Sequence, residues 1–174
     1  MGAGPFGYGL SYTTFTVSQP SISTDTLLAD EPSATVSASV TVKNTGSVAG
    51  DEVVFMYKKS DEPVQAWNEA QQLGPPTLPS RELVGFSRVT LAPGAQTVVH
   101  FNTTAEKLSV VDEFGTRHVL PGAHELIFSR GHGEELSQTL RVEMPAEKRR
   151  LVVSSMVGLF DQTAEDLGLS KEEL

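Results

Sequence analysis

From residue 34 to residue 42 the chain reads Ala-Thr-Val-Ser-Ala-Ser-Val-Thr-Val, with an apolar side chain at every second position and a hydroxyl between. Successive side chains of a strand point to opposite faces, so Ala34, Val36, Ala38, Val40 and Val42 share one face and the Thr and Ser residues share the other. Strict period two of this kind specifies a half-buried strand. Asn44-Thr45-Gly46-Ser47 follows, a cluster of turn formers, and residues 51–57 resume as a second strand rich in Val and aromatics. The punctuation between the two is that of a hairpin.

Strand and turn signals then recur along the chain. Residues 82–91 have strand character, Ala92-Pro93-Gly94-Ala95 makes a turn, and residues 96–104 alternate again, which predicts a further hairpin. Residues 108–112 and 117–120 read as short strands on either side of Gly115; Pro121-Gly122 turns the chain into residues 124–129, and residues 137–144 close the set. Between the second and third strands, residues 61–80 hold Pro63, Pro75, Pro76 and Pro79 with Gly74, a density that argues against a regular helix or a central strand. Short strands at this spacing, with no alternation of strands and helices, predict an all-β fold: a β-sandwich of immunoglobulin or fibronectin type III kind.

A length of 174 residues fits one such sandwich with extensions. With 22 acidic against 13 basic residues the net charge is −9, a field that repels phosphate backbones and anionic lipid, so neither nucleic acid nor membrane is an expected partner. The chain has no cysteine, which excludes a disulfide framework, a thiolate zinc site and a cysteine nucleophile. The longest apolar stretch, residues 151–160, is too short to span a bilayer. After Pro145 come Lys148-Arg149-Arg150, that apolar stretch and an acidic end. Thr163 followed by Asp166 resembles a capping box, so a partly helical C-terminal tail is expected over 145–174.

Catalytic chemistry finds little support. Asp51-Glu52, Asp61-Glu62, Asp112-Glu113 and Glu134-Glu135 are adjacent pairs, and neighbours on a strand point to opposite faces rather than converging on one substrate. His118, His124 and His132 converge only if their strands pair, and their spacing is not that of a metal site. No phosphate-cradling glycine loop occurs and no cofactor is expected. Trp67, the single tryptophan, sits in the proline-rich stretch, where an indole can cover the core edge, pack on a neighbouring domain or stack on a sugar. Asn102-Thr103-Thr104 is a glycosylation sequon.

Residues 5–15 read Pro-Phe-Gly-Tyr-Gly-Leu-Ser-Tyr-Thr-Thr-Phe. Together with Val40-Thr41-Val42-Lys43-Asn44-Thr45-Gly46, Gly50-Asp51-Glu52-Val53-Val54, Arg81-Glu82-Leu83-Val84-Gly85-Phe86-Ser87-Arg88-Val89, Leu91-Ala92-Pro93-Gly94 and Pro121-Gly122, this run resembles the C-terminal region of family 3 glycoside hydrolases. In that family such a segment leads out of the second catalytic domain into a fibronectin type III-like module. The resemblance implies three parts: an interdomain junction over 1–30, the sandwich over 31–144 and a C-terminal extension over 145–174.

It further implies a non-catalytic accessory domain of a β-glucosidase-like or β-xylosidase-like enzyme, secreted or periplasmic, whose catalytic carboxylates lie in domains absent from this chain. Its partners would be those catalytic domains, in cis or in trans, braced through Phe6, Tyr8, Tyr12 and Phe15, with Trp67 near the substrate cleft. The alternative is a free-standing carbohydrate-binding or protein-interaction module, gripping polysaccharide through Trp67. One departure from the family pattern stands at Val110 and Val111, where an aromatic pair is common.

Overall fold

The alternating run becomes a central strand, and its burial follows its alternation: Val36, Ala38, Val40 and Val42 are buried while Thr35, Ser37 and Lys43 are exposed. The structure, a computed structural model, describes residues 11–29, 33–70, 81–111, 115 and 117–144, with the backbone alone over 67–70. Its elements are β1 (Phe15–Ile22), β2 (Thr26–Leu28), β3 (Thr35–Asn44), β4 (Gly50–Lys59), α1 (Asp61–Ala70), β5 (Glu82–Leu91), β6 (Gln96–Thr104), β7 (Val110–Val111), β8 (Arg117–His118), β9 (Gly122–Ser129) and β10 (Leu136–Glu143). All lie in one compact unit, Met1–Glu143; of the other unit, Met144–Leu174, only Met144 is among the described residues, so the expected helical tail lies outside them.

Two sheets face each other across the core. One has the order β1-β3-β6 and the other β2-β10-β9-β4-β5, with β7-β8 as a small separate pair. This is the all-β sandwich expected from the sequence. Inward-facing Val40 and Val42 of the first sheet meet Val54, Met56, Leu126 and Phe128 of the second in one apolar cluster. Phe101 and Phe128 join the sheets directly, their ring centroids 6.0 Å apart and tilted by 46°.

The two expected hairpins are not hairpins. β3 and β4 belong to different sheets, as do β5 and β6, so the connections after Asn44 and after Leu91 arch from one layer to the other. Alternation determines which face of a strand is buried but not which sheet the strand joins. Here the connection after Asn44 is held by bonds to other segments: Thr45 N–H donates to Thr14 O at 2.7 Å and Asn44 N–H to Ala95 O at 2.9 Å.

The proline-dense stretch also departs from expectation, because α1 occupies its first half. Pro63 stands in the first turn, where no backbone N–H has an intrahelical acceptor, and the first helical bond is Val64 N–H to Ser60 O at 3.0 Å. Proline there removes nothing the helix needs. Of the strand expected over 108–112, the described residues hold a 3₁₀ turn at Glu106–Leu108 and a strand at Val110–Val111, and the one expected over 117–120 shortens to Arg117–His118.

β1 and β2 fall within the stretch expected to act as a junction, and both are paired into the sandwich. β1 runs antiparallel to β3; a bulge between Ser18 and Ser21, with Gln19 at φ 53°, bends the chain toward the other sheet, where β2 lies parallel to β10.

Candidate docking surface

The end of the sandwich where β1 begins gathers the arches after β3 and β5 around one buried amide. Asn44 is fully buried, and every polar atom of its side chain is satisfied. Its Oδ1 accepts Thr13 Oγ1–H at 2.7 Å and Gly46 N–H at 3.0 Å; its Nδ2 donates to Val48 O at 2.9 Å and Leu91 O at 3.0 Å. The Asn-Thr-Gly run, read from the sequence as a turn, is therefore the joint between the N-terminal segment and both arches. Gly46 is needed for close approach: a Cβ there would stand 2.3 Å from Thr13 Oγ1.

The joint determines where two of the expected docking residues go. Tyr12 precedes buried Thr13 and projects into solvent, 97 % exposed. Phe15 does the opposite, and this corrects the expectation for it: its ring is 6 % exposed and belongs to the sandwich's own core, because β1 alternation turns it inward. Its carbonyl accepts a bond from Arg130 Nη1, and Arg130 Nε lies 3.0 Å from Glu52 Oε2, an ion contact without hydrogen-bond alignment. Phe6 and Tyr8 lie outside the described residues, as does the side chain of Trp67, whose backbone is in α1.

A second apolar surface lies on the outer face of the five-stranded sheet, where sequence reasoning had placed nothing. Phe55 of β4 pairs with Phe86 of β5 and Tyr57 with Leu83, so the four side chains share the outer face; Phe86 is 68 % and Leu83 53 % exposed. The signal was present in the run Val-Val-Phe-Met-Tyr, apolar on both alternating faces, which marks a strand meant to be covered on both sides.

Charged pairs rim the patch. Arg81 lies 5.4 Å over the Tyr57 ring and donates from Nη1 to Glu135 Oε1 at 2.8 Å. Arg88 bonds Asp51, whose other oxygen accepts Thr90 Oγ1–H at 2.5 Å; the Thr90 hydroxyl first and the Arg88 guanidinium second hold the Asp51 carboxyl below its ordinary value. A cleft of about 420 Å³ adjoins, lined by Lys59, Arg81, Glu125, Ile127, Glu135, Leu136 and Ser137.

Of the candidate acid pairs, Asp51-Glu52 separates as adjacent strand residues must, whereas Asp61 and Glu62, at the start of α1, line one cleft with Glu125, and Asp112-Glu113 lies outside the described residues. Asp51 turns outward to Arg88 while Glu52 turns to Arg130. The histidines do not converge: His124 bonds Ser60 and Leu120 near the start of β9, and His132 bonds Arg130 beyond its end. Among the described residues no three His, Cys, Asp or Glu side chains gather as a metal site.

At the opposite end of the sandwich α1 packs on β9. Gly122, at φ 132°, lets Pro63 sit against its backbone; a Cβ would stand 2.9 Å from Pro63 Cγ. Gly122→Ala is expected to cost about 2 kcal/mol through backbone strain and this overlap. Urea denaturation measures it, and a loss below about 0.5 kcal/mol would mean that α1 shifts freely on the sheet.

Residues 62–130, from α1 to the end of β9, match the family model of the fibronectin type III-like domain. A β-xylosidase of Formosa agariphila is 36 % identical over 118 residues, 68 % of this chain and 14 % of that protein. A β-glucosidase of Bacteroides ovatus is 38 % identical over 109 residues, 63 % of this chain and 13 % of that protein. Among solved structures, a β-glucosidase from Erythrobacter marinus superposes with a TM-score of 0.66 at 28 % identity, covering 80 % of this chain and 17 % of that one. A β-D-glucoside glucohydrolase from Trichoderma reesei does so with a TM-score of 0.61 at 27 % identity, over 79 % of this chain and 20 % of that one. The chain spans about one-seventh of the length of the curated relatives it matches.

Proposed function

We propose, from the premise that this chain carries a fibronectin type III-like domain similar to parts of family 3 β-xylosidases and β-glucosidases, that it serves as a non-catalytic accessory module bracing the catalytic domains of such an enzyme, in cis or in trans. The observation that carries this reading is Tyr12. A tyrosine 97 % exposed on a segment anchored by Thr13 and Asn44 is a rigidly presented aromatic with no neighbour among the described residues, the form of an interface anchor. Sandwich and anchor together fit a brace better than a catalyst, since glycoside hydrolysis needs two carboxyl groups converging on one bond. In this reading α1 and the residues that follow it, with Trp67, border the substrate cleft, and Phe6 and Tyr8 extend the contact that Tyr12 begins.

The test adds this chain to a truncated β-glucosidase or β-xylosidase relative that lacks its own module. A rise in the melting temperature or activity of the truncated enzyme is the expected result, and Tyr12→Ala should weaken the apparent affinity about tenfold or more. The same substitution should leave this chain's own stability within about 0.5 kcal/mol. No effect at saturating concentration would overturn the reading.

A second reading, polysaccharide contact, is favoured by the cleft lined by Arg81, Glu135 and Ser137, whose Arg81 guanidinium lies over the Tyr57 ring. Affinity electrophoresis on glucans and xylans distinguishes it. Retardation lost in Tyr57→Ala supports sugar contact there, and unaltered mobility on every polymer removes it.

A further inference from the structure

We propose that His124 is an acid-sensitive latch that holds α1 against the sandwich and releases it when the imidazole takes a second proton. This goes beyond the accessory role and stands whether or not that role holds.

The geometry assigns the proton of the neutral ring. His124 Nε2 lies 2.8 Å from Leu120 O, and a carbonyl only accepts, so Nε2 carries the hydrogen and Nδ1 is the acceptor. Nδ1 receives Ser60 Oγ–H at 2.8 Å. Ser60 is also the residue whose carbonyl opens α1 by accepting Val64 N–H. One imidazole thus ties the start of the helix to the loop before β9.

A second proton is badly placed there. His124 is fully buried, and Lys58, a buried ammonium 2 % exposed, is near enough to disfavour further positive charge. Lys58 is held in place by Ser109 O at 2.5 Å and by Glu82 at 3.3 Å, so it does not swing away. Burial above all, then Lys58, holds the His124 ring below the ordinary imidazole range, against the opposing bond to Leu120.

The remaining charged groups around this region set the direction of escape. Lys59 of β4, Asp61 and Glu62 of α1 and Glu125 of β9 line a cleft of about 240 Å³ beside the ring, while Arg117 and His118 lie on β8 and Glu82 on β5 pairs with Lys58. Lifting the first turn of α1 carries Asp61 and Glu62 with it and parts Asp61 from Lys59, opens the imidazolium to water and leaves Glu125 of β9 beside it. What resists is small: Val64 packs with Val110 and Leu120 in a satellite cluster apart from the main core, and Pro63 rests on Gly122.

The sign follows. The docked helix keeps the ring neutral and the released helix removes the burial that chiefly holds its pKa down, so the released ring takes its proton at a higher pH than the docked one, and docking weakens by up to about tenfold per unit as pH falls through that range. Hydrogen exchange of the full chain at about pH 7.5 and about pH 5 tests this. The expected result is a fall of about tenfold or more in the protection of amides 64–70 with β3 amides unchanged, and no such fall in His124→Gln, whose amide offers one donor and one acceptor without titrating.

Equal loss in His124→Gln, or loss in α1 and β3 together, would overturn the proposal. Should His124→Gln not fold, an NMR titration of the His124 ring in the unaltered chain decides. Protonation in step with α1 release supports the latch, and protonation with α1 still protected refutes it.

Discussion

Asn44→Ala is expected to destabilise the sandwich by about 4 kcal/mol, enough to lower its melting temperature by roughly 10 °C or more. The substitution deletes four hydrogen bonds at a site with no exposure. It leaves Leu91 O, Val48 O and the Thr13 hydroxyl without those partners, and a buried polar group left unpaired costs about 1–3 kcal/mol. Asn44→Asp is the informative control. It keeps the shape and both acceptor contacts but turns an oxygen toward two carbonyls, so it should lose nearly as much. Urea denaturation of both variants measures the difference, and a loss under about 1 kcal/mol in Asn44→Ala would show that the arches hold without the joint. Because Thr13 is one of the four partners, the same variant should also loosen the presentation of Tyr12.

The second large effect is expected at Phe128. Its side chain is fully buried at the centre of the core and meets Phe101 across the two sheets. Phe128→Ala should cost about 4 kcal/mol from lost transfer energy and the cavity left between layers, whereas Phe128→Leu should cost roughly 1.5 kcal/mol because most of the volume is kept. If the two variants prove equally stable, the sheets close on the vacated space, and the sandwich core is more compliant than its close packing implies. Neither variant touches the outer face around Phe86, so any docking through that face should persist at temperatures where the fold survives.

What the sequence made legible was local. Residues 82–91 and 96–104 were expected as strands and are β5 and β6 residue for residue, since alternation and the Ala92-Pro93-Gly94 turn act over a few positions. The pairing of those strands was not legible, because partner choice rests on contacts distant in sequence. Asn44 is the example: its bonds to Thr13 and Leu91 span 31 and 47 positions. The helix in the proline-rich stretch was missed by counting prolines rather than locating them, since Pro63 alone falls in α1 and falls in its first turn.

For the candidate site the outcome is mixed for the same reason. Phe15 was grouped with Tyr12 as a surface aromatic, yet the β1 strand puts Phe15 inward and leaves Tyr12 in solvent. His124 carried a readable signal that was not used: it alternates with Leu126 and Phe128, which places it on the inward face of β9. Lys58 likewise follows Val54 and Met56 on the inward face of β4. A polar residue in an apolar register is the sign by which both buried groups can be found in advance.

The passage of the chain from β1 to β2 has a mechanical side. β2 and β10 run parallel and are flanked by Arg141 N–H to Asp25 O at 2.7 Å and Ala29 N–H to Glu143 O at 2.8 Å. When the stretch before β2 and the stretch after β10 are pulled apart, those bonds carry the load side by side and must fail together, whereas an antiparallel terminal pair peels one bond at a time. A sandwich whose β2 and β10 are joined in this way transmits tension along its length before it yields.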